Sequence, residues 1–288
     1  MTEPRFDLQR PDFDLGLSPL SKNSSFLALG EPQILRVSGY FHEGWMRDTI
    51  ELESSVLPCA SRAIIDTPEI PDEVKCHVAH VASEDEGRHL SDAVRQLTRT
   101  VKERQLTGAL PSGGLLLNFR RATRNLGERE RHLFGLGVSS VVEVNQGALK
   151  LLAESDLINP YQRYYHQRHW ADEVHHQAAF RSLAPVAYAA LPPDERQIFV
   201  NGIVSASWWI GTFDERFTRA ALVCAGVKKS DATDIASELA WQQAPSPDPT
   251  GAALLRAIGE PASKLISLRS FATPEPINTG VAPRRRRW

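Results

Sequence analysis

The residue types that bind metal ions occur twice in one short motif. The sequence Asp-Glu-x-x-His stands at Asp85–His89 and again at Asp172–His176. Residues three positions apart on an α-helix lie on the same face, about one turn from each other. Each motif can therefore present a carboxylate and an imidazole to one point in space, and two such helices facing each other could bind two metal ions.

A further histidine extends the second motif towards the N-terminus. His169 stands four positions before Glu173 and seven before His176, so the three side chains share one helix face. His175 turns away from that face, and we expect His166 at its rim. One Glu-x-x-His pair alone is usually a surface pair, but the ordered occurrence of two pairs on long helices favours a site.

A carboxylate-bridged site with two metal ions in a four-helix bundle needs one further glutamate from each of the other two helices. Glu143 lies within the apolar run VSSVVEVNQGAL, where a buried carboxylate would need a compensating partner. Glu51 and Glu53 both precede the first motif, and we prefer Glu51 because Glu53 would stand about 200° around the helix from it. The predicted metal ligands are Glu51, Glu86, His89, Glu143, His169, Glu173 and His176.

The donor types restrict the metal. Carboxylates and imidazoles without thiolates suit iron or manganese, whereas a structural zinc site commonly includes cysteine. Asp85 and Asp172 are candidates to accept hydrogen bonds from imidazole N–H groups of neighbouring helices and so orient them, with a solvated helix acid as the alternative for each. The chain has three widely spaced cysteines, which fit a reducing cytosol better than a disulfide framework.

The elements that must position these residues are predicted to be helices. Alternating stretches rich in Val, Ile and Thr are scarce, so a sizeable sheet is not expected and the fold class is all-α. Asn159–Pro160 is typical of a helix start, and the Gly/Pro-rich segment 106–119 is predicted to be a loop or crossover. The predicted helices lie near 45–66, 71–104, 128–155, 159–183, 193–211, 213–226, 229–242 and 249–258.

The chain divides by composition into three parts. Residues 1–40 are punctuated by proline and are expected to form an extended arm, and residues 41–262 form the helical domain. Residues 263–288 are predicted to be an irregular tail. Its four arginines, Arg284–Arg287, are expected to be a solvated end rather than a binding arm.

The overall composition excludes several classes of partner. Among 288 residues, 42% are hydrophobic and 24% charged, with a formal net charge of −2, so neither nucleic acid nor an anionic membrane is expected as a partner. No apolar run approaches the roughly 18 residues that span a bilayer, and the N-terminus lacks the apolar core of a signal peptide. We therefore expect a soluble cytoplasmic protein.

The ligand pattern from Glu51 to His176 resembles that of known proteins. Two Glu-x-x-His motifs with two further glutamates resemble the ferritin-like di-iron carboxylate proteins. The extra His169, together with Asp-Glu-x-x-His in the first motif, is similar to the p-aminobenzoate N-oxygenase family of natural-product pathways. The resemblance implies a ferritin-like four-helix bundle core with additional C-terminal helices, and it makes the seven predicted ligands the ligands of two iron ions.

The resemblance also implies an activity. Two ferrous ions would bind O2 as a peroxo-diferric species that transfers oxygen to the nitrogen of a small amine, free or carrier-bound, towards a hydroxylamine, nitroso or nitro product. Electrons would come from an external reductase or reductant, because no dinucleotide fingerprint is present and the GALPSGG loop has the wrong spacing. The sequence is also compatible with a homodimer.

Other functions stay open beside this one. The small subunit of ribonucleotide reductase has a radical tyrosine four residues after the first-motif histidine, and Ala93 at that position counts against it. The same scaffold could support hydroxylation, desaturation or C–C cleavage, or only ferroxidase activity. A helical interaction protein with incidental histidines would retain no stoichiometric iron.

Overall fold

Every regular element in the described part of the chain is helical. The computed structural model describes residues 3–108, 110–111, 114–212, 214–243 and 246–269, without the side chains of 82 and 83. The all-α prediction is confirmed. The α-helices are α1 (Ser24–Leu27), α2 (Glu31–Glu51), α3 (Leu57–Ile65), α4 (Asp72–His80), α5 (Glu86–Arg104), α6 (Gly114–Thr123), α7 (Glu128–Val144), α8 (Gly147–Glu154), α9 (Pro160–Ala190), α10 (Pro193–Ile210), α11 (Glu215–Cys224), α12 (Lys229–Gln242), α13 (Pro249–Ala257) and α14 (Lys264–Ser267).

Four long helical segments surround a common interior. Two of them are interrupted by π-helical turns: Leu52–Val56 joins α2 to α3, and Val81–Asp85 joins α4 to α5. The segment α2–α3 contacts α5 and α7, while α9 contacts both α7 and α5. The four segments therefore form a closed ring of neighbours, an arrangement compatible with the expected ferritin-like bundle.

Local sequence signals account for where the longest helix starts. The Asn159 side chain accepts a hydrogen bond from the amide of Tyr161, and Pro160 occupies the first helical position. Such a cap satisfies an amide that lacks a partner within the helix, and proline there forfeits no hydrogen bond. The helix continues to Ala190 with Pro185 inside it, so it is longer than the predicted 159–183.

A glycine pair sets the distance between α7 and α10. A Cβ atom on Gly137 would lie 2.2 Å from the carbonyl oxygen of Phe199, and one on Gly202 would lie 2.3 Å from that of Phe134. Both obstructing atoms are backbone atoms, which cannot move aside as a flexible side chain can. Glycine at both positions therefore allows the close helix packing that places α7, and with it Glu143, against the core.

Several predicted boundaries differ from the structure. The arm predicted over residues 1–40 ends at Gly30, because α2 begins at Glu31. The helix predicted over 128–155 is broken at Asn145–Gln146 into α7 and α8. Part of the predicted loop 106–119 is the start of α6, and α14 lies in the predicted tail. The arginine run at 284–287 lies outside the described residues.

The N-terminal segment packs against the helices. Asp12 is fully buried and pairs with Arg104 at the end of α5, and it also accepts a hydrogen bond from Asn159. Phe13 and Phe26 are buried in separate apolar clusters. In the described part of the chain, no helix combines the length and the apolar character that crossing a membrane requires.

Candidate metal centre

Seven acidic and imidazole side chains from the four segments meet in the interior. Each is between 3% and 8% exposed, which is unusual for ionisable groups that lack a compensating partner. The π turn after α2 contributes one, α5 two, α7 one and α9 three. These residues are Glu53, Glu86, His89, Glu143, His169, Glu173 and His176.

The two Glu-x-x-His pairs converge as the sequence predicts. Glu86, His89, Glu173 and His176 each offer a ligand atom, and these atoms all lie within 4.8 Å of one another. The Nδ1 atom of His176 is 3.1 Å from Oε1 of Glu86 and 3.5 Å from Oε1 of Glu173. This group could hold a metal ion.

A second group adjoins the first. Glu53, His89 and His169 also offer ligand atoms within 4.8 Å of one another. The Nε2 atom of His169 lies 3.1 Å from Oε1 of Glu173 and 3.8 Å from Oε1 of Glu53. Because His89 belongs to both groups and Glu173 contacts both, the two candidate positions are neighbours.

Many of the converging atoms have no hydrogen-bond partner. The unpartnered buried atoms include Nδ1 of His89 and of His176, both carboxylate oxygens of Glu86, and one oxygen each of Glu53 and Glu143. Buried polar atoms are ordinarily hydrogen-bonded, because leaving them bare costs about 1–3 kcal/mol each. Several of these nitrogen and oxygen atoms lie within 4 Å of one another but do not hydrogen-bond. Such an arrangement could hold a metal ion between them.

The structure places Glu53, and not the preferred Glu51, among the converging side chains. The Glu51 side chain is 28% exposed and pairs with Arg120, and it belongs to neither group of converging atoms. Glu53 is 7% exposed and faces His89 and His169.

The π-helical turn explains the difference. The amide of Leu57 donates to the carbonyl of Leu52, five residues earlier, instead of four. A π turn holds more residues than the 3.6 of an α-helix, so a side chain's direction no longer follows the 100° step assumed from the sequence. The amide of Glu86 makes the same kind of bond to Val81. The segments α2–α3 and α4–α5 thus each carry a π turn beside a site carboxylate, and π-helical turns are frequent at functional sites.

The two aspartates predicted to orient imidazoles contact the histidines of the opposite motif. Oδ2 of Asp172 lies 3.2 Å from Nε2 of His89, and Oδ2 of Asp85 lies 3.3 Å from Nε2 of His176. One guanidinium nitrogen of Arg88 contacts both aspartates at 2.9 Å. Each imidazole therefore points Nδ1 into the cluster while its Nε2 faces an acceptor.

His169 has a different outer partner. The hydroxyl of Tyr165 lies 3.2 Å from its Nδ1, and the Tyr165 ring packs beside Ala93. The Nε2 atom of Gln146 donates to Oε2 of Glu173 at 3.1 Å. The sequence analysis assigned neither Tyr165 nor Gln146 to the site. The position of Tyr165, four residues before His169 on one helix, is the signal that could have identified it.

Close contacts within the cluster shift the pKa values of Glu173 and of two histidines in opposite directions. Burial lowers the pKa of His176, but the Glu173 and Glu86 carboxylates outweigh it and raise that pKa to about 11. The same balance raises the pKa of His89 to about 10. Burial would raise the pKa of Glu173, yet contacts with His169, His176 and His89 hold it well below its usual value.

The two glutamates from the other helices behave in the opposite way. Burial, followed by repulsion from Glu86, raises the pKa of Glu53 to about 9. Burial and the carboxylates of Glu173 and Glu86 raise the pKa of Glu143 well above its usual value. Without an added cation Glu53 is therefore protonated at neutral pH, and burial favours the protonated form of Glu143 as well.

Two cavities reach the cluster from different sides. A cavity of about 340 Å³ with apolar walls borders Glu86 and His176, and Phe180 and Leu183 are among its lining residues. A second cavity, of about 220 Å³, borders five of the seven clustered side chains: Glu53, Glu86, Glu143, His169 and Glu173.

Two further histidines of α9, His175 and His166, lie outside the two groups. His175 is exposed and faces away from the cluster. His166 is fully buried and belongs to neither group of converging atoms. Its ring lies 5.8 Å from that of His42 on α2, which is also fully buried.

No protein-family model matches the chain, and no curated protein matches it significantly. The resemblance to the p-aminobenzoate N-oxygenases therefore stays a prediction from residues and spacing.

Proposed function

We propose that this protein is a non-haem di-iron oxygenase that transfers oxygen from O2 to the nitrogen of a small amine. One observation carries the proposal: two adjoining groups of buried carboxylates and imidazoles converge with several donor atoms left unpartnered. The pattern of two Glu-x-x-His motifs, a further glutamate and an added histidine supports the N-oxygenase class within the di-iron proteins.

The donor set favours iron over the commonest alternative. The two groups contain imidazoles and carboxylates and no thiolate, and their six residues together exceed the four ligands of a tetrahedral structural zinc site. Hard oxygen donors mixed with imidazole suit iron and manganese. When bound, two iron ions would supply the electrons and the open coordination positions that O2 activation needs.

The protein's own residues would hold and orient these ligands. Asp172 and Asp85 would keep the Nε2 protons of His89 and His176 outside the cluster, so that Nδ1 is free to bind. Tyr165 would do the same for His169 from its Nδ1 side. Removal of any outer partner would loosen an imidazole without deleting a ligand.

Two glutamates would respond to the charge of the metal ions. Burial raises the pKa of both Glu53 and Glu143 and so favours their protonated forms in the metal-free protein. Metal ligands must be deprotonated, so binding would displace these protons. Both side chains border the cavity of about 220 Å³.

Other oxidations on the same residues are the nearest alternatives. Hydroxylation, desaturation and C–C cleavage would use the same ligands and differ in what occupies the cavity. A radical-generating role would need a tyrosine near the metal, and Tyr165 contacts His169 and shares a buried apolar cluster with Ala93. Product analysis, together with electron paramagnetic resonance after exposure to O2, separates these outcomes.

The test begins with metal content. The full chain would be reconstituted with Fe(II) without oxygen, desalted and assayed for iron, with an expected content of about two per chain. Glu143→Ala and His176→Ala should lower the iron content, whereas His175→Ala, on the exposed side of the same helix, should not. Less than two irons per chain, with both site variants unchanged, would overturn the proposal.

Activity is then tested with reductant and O2 on a panel of aryl and alkyl amines. Mass spectrometry should find an oxygen atom from ¹⁸O2 on the substrate nitrogen. Oxygen incorporated only at carbon would support the hydroxylase alternative and reject N-oxygenation. Iron oxidation without product from any amine would point to a ferroxidase.

A further inference from the structure

A smaller cavity adjoins the cavity of about 220 Å³ on the side away from the cluster. The smaller cavity, of about 170 Å³, shares two lining residues with it, Trp45 and Asp48. These residues stand one turn apart on α2, so a single helix face forms the boundary between the two spaces. We call the smaller space the outer cavity and the larger one the inner cavity.

The walls of the outer cavity are mainly aromatic. Phe13, Phe41 and Phe217 line it beside Trp45, and the Phe41 and Phe217 rings meet edge to face at 5.4 Å. Gly44 allows Phe217 to reach this place, because a Cβ atom on Gly44 would lie 2.4 Å from the ring. Such walls suit a flat or apolar molecule.

Acidic side chains line both cavities. Asp214 lines the outer cavity and Asp48 lines both, while no Lys or Arg is among the described residues that line either. Asp48 makes no hydrogen bond or ion pair with any described residue. Burial, then repulsion from Asp214 and Glu51, raises the pKa of Asp48 to about 7, which reflects the lack of a compensating cation.

Two carboxylate oxygens beside the inner cavity also lack hydrogen-bond partners. One carboxylate oxygen of Glu53 and one of Glu143 are buried without a hydrogen bond, and both residues, each more than nine-tenths buried, line the inner cavity. The described residues that line this space include the carboxyl groups of Glu53, Glu86, Glu143 and Glu173 and one imidazole, that of His169, with no Lys or Arg. An engineered cavity of about 150 Å³ holds one benzene molecule, so the inner cavity has room for one ring with a short substituent.

We propose that Asp48 selects substrates at the junction of the two cavities, admitting an aromatic amine whose only charge is positive and rejecting amines that carry a carboxylate. The inference rests on the proposed function for the site but departs from the substrate after which the similar family is named. A carboxylate at the junction of the two cavities would meet Asp48 and Asp214, and no Lys or Arg is among the described residues that line either cavity. An ammonium or neutral amine would find Asp48 as its counter-charge or acceptor, and aromatic walls for its ring.

Binding to the full-length protein tests the proposal without turnover. Isothermal titration at pH 8, before and after anaerobic Fe(II) loading, would compare benzylamine and 2-phenylethylamine with 3-phenylpropionate and 4-aminobenzoate. We expect the two amines to bind at least tenfold more tightly than the two carboxylates. Equal or tighter binding of the carboxylates would overturn the proposal.

Two variants of the same residue test the role of Asp48. Asp48→Asn should weaken amine binding at least tenfold, and Asp48→Lys should shift the preference towards the carboxylates. Glu51→Gln is the matched control, because this acid lies on the same helix, pairs with Arg120 and lines neither cavity. If Asp48→Lys does not fold, unchanged amine affinity in Asp48→Asn still refutes the proposal.

Failure here is distinguishable from failure of the proposed function. The affinities are read without O2, and the iron content is measured separately on the same preparations. Two irons per chain with no preference for amines would reject the selection by Asp48 and leave the metal site standing. A preference for amines in a protein that binds no iron would reject the di-iron function and keep the binding site.

Discussion

Nε2 of His89 lies 3.2 Å from Oδ2 of Asp172, so a histidine of the first motif faces an acid of the second. The relationship is reciprocal, since Nε2 of His176 lies 3.3 Å from Oδ2 of Asp85. Arg88 contacts both aspartates and joins the two contacts. The motifs repeated in the sequence are thus interlocked in space, each supplying the outer partner of the other's imidazole.

Replacing either aspartate should weaken metal binding while leaving all ligands in place. An asparagine can offer an N–H where the imidazole needs an acceptor, so we expect Asp172→Asn and Asp85→Asn each to lower Fe(II) affinity about 10- to 100-fold. Competition with a chromophoric chelator measures it. Asp92→Asn is the control, because Asp92 lies on α5 and pairs with Arg95 and Arg168 and with none of the clustered histidines. Wild-type affinity in both variants would contradict the orienting role.

Glu53 and Glu51 should differ sharply when replaced. Glu53→Ala removes a buried carboxylate that faces His89 and His169, and we expect at least a tenfold loss of Fe(II) affinity or the loss of one iron per chain. Glu51→Ala removes an exposed partner of Arg120, so its iron content should equal that of the wild type. Iron assay after desalting measures both. A larger loss of iron in Glu51→Ala than in Glu53→Ala would contradict the structure and would show that Glu51 faces the metal, as α-helical spacing predicts.

The glycine contact between α7 and α10 should be intolerant of a methyl group. Gly137→Ala and Gly202→Ala each direct a Cβ atom at a carbonyl oxygen, and we expect each to lower the free energy of unfolding by about 1–3 kcal/mol or more. Urea denaturation measures the loss. Gly147→Ala is the control, because its nearest neighbouring atom would be 3.9 Å away. Equal stability of all three variants would contradict the packing.

Acid should destabilise the protein through a buried histidine pair. Burial lowers the pKa of His42 to about 3 and also lowers that of His166 well below its usual value. The unfolded chain takes up protons on these groups below pH ~6.5, whereas the folded chain does not until far lower pH. Stability is therefore lost as pH falls from about 6.5, and His42 alone contributes a loss of roughly 2–3 kcal/mol by pH 4.5.

Denaturation curves between pH 7.5 and 4.5 measure this dependence. The double variant His42→Asn and His166→Asn should have a smaller loss of stability over that range, whatever its stability at pH 7.5. His175→Asn, at an exposed position of the same helix, should keep the wild-type slope. A double variant that loses as much stability on acidification as the wild type would contradict the assignment.

The amino-acid sequence alone determined the helical class and most of the cluster. Glu86, His89, His169, Glu173 and His176 were found by counting positions, because an α-helix repeats every 3.6 residues and this repeat is a local property. An acid within the apolar run around Glu143 indicated burial, since such a run predicts an interior face. None of these inferences needed knowledge of a neighbouring helix.

The tertiary structure decided the details that local periodicity does not encode. A π turn, held in a closely packed segment, placed Glu53 instead of Glu51 beside His89. The contact of Tyr165 with His169 and the shared wall at Asp48 likewise depend on what packs against each helix. Hydrogen bonds along the backbone determine which residues share a face, but only packing between helices determines which faces meet, where the turn widens, and which acid is left without a partner.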